Sequence, residues 1–162
     1  KKRTRGRKVK IRIIAAGKIK EKWTKDGIDE YIKRLGRYTK VEIVEVEDSP
    51  DSIPVEKALE NEAKLMLSKV GAQDFLWVMD LHGKELSSEQ LSKHLISDLE
   101  AGGSNLSIII GGSNGLHESI TARANRRICL GQITLTHQMT RLILLEQIYR
   151  GFKIANNEKY HK

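Results

Sequence analysis

Phe75 to Leu81 reads FLWVMDL, and Leu106 to Ile110 reads LSIII before the loop Gly111-Gly112-Ser113-Asn114-Gly115. Both runs are short and almost continuously apolar. A strand buried on one face alternates apolar and polar residues. A strand buried on both faces reads as an unbroken apolar run, as in a parallel sheet covered by helices. Working outward, Val9 to Ala15 (VKIRIIA) and Val41 to Val46 (VEIVEV) are β-branched and alternating, and read as two more strands. Lys22 to Tyr38 places Trp23, Ile28, Tyr31, Ile32 and Leu35 on one helical stripe, and Gly36 marks its close. After a loop punctuated by Pro50 and Pro54, Val55 to Val70 reads as a second helix. Ser87 to Glu100 is a third, with Ser87 and Gln90 in a capping-box pattern. Leu116 to Arg127 reads as a helix, Ile128 to Leu135 as a short strand-and-loop segment, and His137 to Ala155 as a long last helix. Strands alternating with helices predict an α/β domain with a largely parallel sheet.

A chain of 162 residues fits one domain with a single core. With 39% hydrophobic and 31% charged residues it reads as folded rather than disordered. No apolar run approaches the ~18 residues of a membrane span, and no secretory h-region follows the basic start. The single cysteine, Cys129, cannot form an internal disulfide, which suits a reducing compartment. None of the five histidines has zinc-ligand spacing with a third ligand nearby, so no metal site is expected.

The net charge of +8 is unevenly spread. Residues 1–10 carry seven Lys or Arg and no acid, and residues 123–162 hold eight basic and two acidic side chains. Residues 11–122 hold 14 basic and 19 acidic side chains. The two ends are therefore the expected polyanion surface. Residues 1–8 are expected to form a disordered basic arm ahead of one domain at 9–162. The chain begins on Lys1, and this Arg-rich, acid-free start resembles an organellar presequence remnant. The expected location is cytoplasmic, with an organelle as the alternative.

The Gly111–Gly115 loop follows a buried strand, at the sheet edge where open α/β folds bind ligands. It is neither GxGxxG nor a phosphate loop ending in GK[ST], so dehydrogenase and P-loop NTPase classes are disfavoured. A plain strand-to-helix turn explains the loop equally well. In the last helix, Leu142 to Leu145 (LILL) is wider than one core-facing stripe, so a second side is covered either by another subunit or by this chain's own core. Glu146 and Arg150 stand in the favourable i,i+4 order. Gly151, costly inside a helix, implies close approach of a backbone or ligand. The tail holds Tyr160 and His161, and so short a tail needs a reason to be ordered, such as docking into a site.

Several segments together resemble one family. They are Ala15-Ala16-Gly17-Lys18, Asp29-Glu30-Tyr31 with Lys33-Arg34-Leu35, Ile109 to Leu116, Thr134 to Met139, Leu145 to Arg150, and Tyr160-His161-Lys162. In order and content they resemble the RlmH family, SPOUT-class methyltransferases that act at N3 of a pseudouridine in large-subunit ribosomal RNA. The resemblance covers about residues 9–162. It implies a parallel α/β sheet flanked by helices, a C-terminal trefoil knot, a homodimer, and S-adenosyl-L-methionine as cofactor. By position, the implied cofactor contacts are Met79, Gly111, Leu130, Gly131, Gln132, Ile133, Thr134 and Leu135. Thr136 stands where the family often has Pro, and Met79 where Leu is common.

The resemblance also points to the tail as functional. N3 of the base carries a proton at neutral pH, so something must remove it or stabilise the anion. His161 is the expected base, since an imidazole ordinarily titrates near ~6.5. Tyr160 would stack on or orient the base, and Arg150 and Arg141 would hold phosphate or developing charge. The substrate is expected to be ribosomal RNA within an assembled ribosome or large subunit, read by shape. Two alternatives stand beside this. A non-catalytic RNA- or ribosome-binding module would keep the basic ends and lose the cofactor. A small-molecule methyltransferase would not need the basic C-terminal region.

Overall fold

A computed structural model describes residues 9–161, so the basic arm expected at residues 1–8 lies outside the described residues. Five strands and five helices alternate: β1 (Lys10–Ala16), α1 (Lys22–Leu35), β2 (Lys40–Val46), α2 (Val55–Leu67), β3 (Phe75–Glu85), α3 (Ser88–Ala101), β4 (Asn105–Ile110), α4 (Glu118–Arg123), β5 (Arg126–Cys129) and α5 (His137–Ala155). The strands form one sheet in the order β2-β1-β4-β3-β5, and every pairing is parallel.

The apolar runs behave as their composition requires. In the three inner strands β1, β4 and β3, alternate residues enter two different cores. Ile11, Ile13, Trp77, Ile108 and Ile110 pack with Leu35, Leu95, Leu99, Leu144, Leu145 and Ile148 from α1, α3 and α5. Ile14, Leu76, Val78 and Ile109 pack on the other face with Ala63 and Met66 of α2 and Ile120 of α4. The result is a sheet between two helical layers. Ser87 caps α3 as its sequence suggests: its side chain accepts from the Gln90 amide, and Gln90 reaches back to the Ser87 amide at 2.9 Å.

Two stretches differ from the sequence reading. The helix expected over 116–127 is confined to Glu118–Arg123, because Arg126–Cys129 pairs with β3 instead. Sheet pairing overrides the local helical preference of that polar segment. β3 also runs past Leu81 to Glu85. Its extension pairs only with β5, after a register shift between Met79 and Lys84. Gly83 lies so close to β5 that an added Cβ would sit 2.7 Å from the Ile128 amide nitrogen.

Three of the four LILL residues pack within the chain, while Ile143 stays half-buried outside both cores. α5 packs between α1 and α3, with Leu142 against Gly27 and Leu144 and Leu145 fully buried. Gly151 is buried where α5 crosses α3: Ser92 Oγ donates to its carbonyl at 2.6 Å, and an added Cβ would meet Leu95 at 3.1 Å. The close backbone approach read from that glycine is therefore made by α3.

Candidate active site

The C-terminal ends of β3, β4 and β5 and the first turn of α5 enclose a cleft of about 1030 Å³. That is ample for a cofactor-sized ligand, since such pockets run from roughly 300 to 1,000 Å³. Seven of the eight expected cofactor contacts line it: Met79, Gly111, Leu130, Gly131, Ile133, Thr134 and Leu135. Gln132 is exposed and outside the lining. The cleft is also lined by Asp80, His82, Arg127, Cys129 and, from the segment after β1, Glu21, Trp23 and Thr24. None of these was expected in the site: the register that brings β5 beside β3 has no local sequence pattern, and Trp23, read as part of the apolar stripe of α1, is instead 58% exposed at the cleft.

Local chemistry shapes each wall. In the β4–α4 loop, the Gly115 amide donates to the Gly112 carbonyl at 3.1 Å, and Gly115 takes a φ of +88°. An added Cβ at Gly111 would lie 2.9 Å from the Gly115 carbonyl oxygen, so only glycine leaves this wall open. In the β5–α5 loop, Gly131 has a φ of +126°, and the buried Cys129 thiol donates to its carbonyl at 3.0 Å. Thr136, where the family pattern often has Pro, caps α5: its hydroxyl accepts from the Met139 amide at 3.1 Å. The loop therefore gains a capping bond there. At the end of β3, Asp80 accepts from the Arg127 Nε at 2.7 Å and from the His82 amide at 2.9 Å. Burial pushes the Asp80 carboxyl up, but the His82 amide and Arg127 outweigh it and hold the group below the usual carboxylate range.

Glycine turns, backbone amides and apolar walls from Leu116, Leu130, Ile133 and Leu135 suit a ligand with a flat apolar part and a charged end. The amino end of α5 supplies positive potential for a carboxylate.

The expected catalytic residues sit elsewhere in the chain. Arg150 donates to Glu146 Oε1 at 2.7 Å and Tyr160 donates to the same oxygen at 3.2 Å. The Tyr160 ring packs edge-on against Tyr149, with the Arg150 guanidinium 4.8 Å from its centroid. Burial, followed by its Tyr31 and Glu146 neighbours, raises the Tyr160 phenol well above its ordinary value, so it stays protonated. Arg150 Nη1 lies 3.1 Å from His161 Nδ1, and His161 Nε2 lies 2.7 Å from Glu89 Oε1. A guanidinium can only donate, so Nδ1 is the acceptor and the imidazole proton sits on Nε2, facing Glu89. Glu158 clamps the tail, accepting from Tyr38 at 2.8 Å and Lys153 at 3.0 Å. The Tyr-His tail is thus ordered by docking back against the middle of α5, at Glu146, Tyr149 and Arg150. His137 lines the cleft and Arg150 stands thirteen residues further along the same helix, roughly 20 Å away at about 1.5 Å per residue. One chain does not bring its tail to its own cleft.

Two expectations are corrected here. Arg141 cannot hold phosphate: it is fully buried, and Nη2 donates to the carbonyls of Ala16 and Gly17 at 3.0 and 2.8 Å. Nor is the 123–162 segment an exposed basic face. Arg123 donates to the Asp74 carbonyl, Arg126 pairs with buried Asp98, and Arg127 pairs with Asp80. Arg150 pairs with Glu146, and Lys153 with Glu158. Of the seven basic residues described in this segment, only Lys159 is both exposed and clear of such pairing.

A family model described as "Predicted SPOUT methyltransferase" matches residues 9–161. The "Ribosomal RNA large subunit methyltransferase H" of Enterococcus faecalis is 43% identical over 159 residues, spanning 95% of this chain and 100% of the relative. Its namesake from Clostridium beijerinckii is 46% identical over 157 residues, spanning 94% and 99%. Among solved structures, a probable methylase family protein from Haemophilus influenzae superposes with a TM-score of 0.52 at 14% identity, covering 94% of this chain and 70% of that one. The tRNA (m1G37) methyltransferase of Aquifex aeolicus gives 0.50 at 14% identity, covering 86% and 69%. At that identity the two structures speak to the fold alone.

Proposed function

The chain belongs to the SPOUT methyltransferase family, and on that premise we propose that it methylates N3 of a pseudouridine in large-subunit ribosomal RNA. The observation that carries this reading is the cleft: three loops, two of them built on obligatory glycines, converge with the amino end of α5 beside an apolar wall. S-adenosyl-L-methionine bound there would supply an electrophilic methyl group for an in-line displacement, a reaction in which positioning carries much of the rate. Met79, Gly111 and Leu130 to Leu135 would hold it, Gln132 by its backbone alone.

The base to be methylated must lose the N3 proton. His161 is the group for this, with Glu89 on Nε2 orienting the ring and fixing its tautomer. The lone pair on Nδ1 faces Arg150 in this structure. When Arg150 turns to a carbonyl oxygen flanking N3, it stabilises the developing anion and frees Nδ1 to take the proton. Because no described residue of the tail lines the cleft, Tyr160 and His161 would reach the reacting atoms from a second protomer. This makes the homodimer a requirement of the chemistry. The RNA would be met as part of an assembled large subunit or ribosome. No described helix is long and apolar enough to cross a membrane.

Calorimetric titration of S-adenosylmethionine, with sinefungin as a second ligand, tests the cleft. Saturable binding of both, abolished by Gly111→Val, is the expected outcome. No heat at millimolar ligand would instead favour a non-catalytic RNA-binding module on the same fold.

A further inference from the structure

The segment joining β1 to α1 combines features that the cleft and the tail do not use. Trp23 is 58% exposed, yet it lines the cleft. Leu81 and Ile133, 63% and 82% exposed, line the same cleft, so the exposed apolar side chains are grouped rather than scattered and mark a contact surface. Around it Lys18, Lys20, Lys22 and Lys25 are all exposed. Among the described residues, Lys18, Lys20 and Lys25 form no ion pair, and Lys22 reaches Asp26 only at 3.9 Å. This contrasts with the C-terminal arginines, which are engaged internally. The segment is also held in place. Ile19 packs against the core, and the Lys20 amide donates to Gln138 Oε1 at 3.3 Å, tying the segment to the first turn of α5. Lys18 and Lys20 therefore flank an anchored residue and project to solvent beside the cleft mouth.

The placement of Lys22 and Lys25 has a local cost. They stand in the first turn of α1, whose N-cap Glu21 makes no side-chain capping bond and whose first turn holds no acid. Cations at the positive end of a helix are unfavourable. Local rules broken without a structural return tend to mark functional surface.

We propose that Lys18 to Lys25 is the RNA-docking platform of this enzyme, with Trp23 stacking on an unstacked base at the cleft mouth and the lysines contacting the adjoining phosphates. The inference rests on the ribosomal RNA reading above and assigns its substrate surface. An exposed aromatic interleaved with unpaired lysines fits single-stranded RNA, which offers π faces and phosphates at short intervals.

The test measures binding of large ribosomal subunits from a strain lacking this methylation, as a function of salt, together with cofactor titration and light scattering. Replacing Lys18, Lys20 and Lys25 together by Ala should leave the cofactor affinity and the mass unchanged. It should lower the steepness of log affinity against log salt by about 2, as expected for three lost phosphate contacts. Trp23→Leu keeps apolar bulk without a π face and should weaken binding roughly tenfold, whereas Trp23→Phe restores most of it. An unchanged salt slope in the lysine variant, or equal binding by the Leu and Phe variants, overturns the platform while leaving the methyltransferase reading intact. A change of mass in the Trp23 variants overturns it in favour of an interface between copies. Wild-type protein that binds cofactor but no ribosomal subunit overturns the RNA reading, and the platform with it.

Discussion

Asp98 is buried on α3 and holds three elements together. It accepts from Trp77 Nε1 at 2.6 Å and from Arg126 Nε at 2.7 Å, joining β3, α3 and β5. Asp98→Ala strips a buried indole and a half-buried guanidinium of their partner, so it should cost about 3 kcal/mol of stability in denaturant unfolding. Glu62 carries a pH signature. Burial pushes its carboxyl up and Asp48 adds to this, while the Ser49 amide partly opposes it. The folded state thus holds that proton more tightly than the unfolded chain. The contribution of Glu62 is full below the ordinary Glu value of about 4.3 and is lost as pH rises through the raised value. Glu62→Gln should therefore exceed the native protein in thermal stability at pH 7 and match it near pH 4. At this scale the sequence was informative about glycines and about the local Glu146–Arg150 pair, and silent about pairing between elements. Gly111, Gly115 and Gly151 announced turns and close approach, and each has a steric or conformational reason. Charge totals misled, because they count Arg126 and Arg141 as surface although one neutralises Asp98 and the other is enclosed.

Elements were legible where a local rule governs them. α5 spans His137–Ala155 as read, because Thr136 caps it and the apolar positions continue to Phe152. Thr136→Ala removes the bond to the Met139 amide and should cost about 1 kcal/mol. It should also weaken cofactor binding, since the same turn forms a wall of the cleft. The α4–β5 segment was misread because nothing within Leu116 to Arg127 reports that Arg126 will pair with Trp77 across the sheet. The tail belongs to this scale too. Glu158 ties it to Tyr38 and Lys153, so Glu158→Ala should raise amide hydrogen exchange over residues 156–161 while leaving the cofactor affinity unchanged. His161→Ala should reduce kcat by at least about a hundredfold, the scale of a lost general base, again without change in cofactor affinity.

At the scale of the whole molecule, apolar continuity in two strands was enough to specify a parallel sheet between helical layers. The strand order was not available, because it depends on which strand ends meet rather than on any one stretch. That order places β3, β4 and β5 side by side, and together with the start of α1 it assembles the cleft from residues up to 119 apart, Glu21 to Thr140. The tail docks against the middle of α5, away from the cleft, a separation that sequence order conceals since the tail and the first turn of α5 both belong to the last quarter of the chain. The central claim is methyl transfer to ribosomal RNA. Its most direct test is incubation of the purified protein and S-adenosylmethionine labelled in the methyl group with ribosomes from a strain lacking this modification, followed by mapping of the labelled nucleotide. Label at a single pseudouridine of the large-subunit RNA, lost with His161→Ala, is the predicted result. Cofactor binding without any label in the RNA would contradict it.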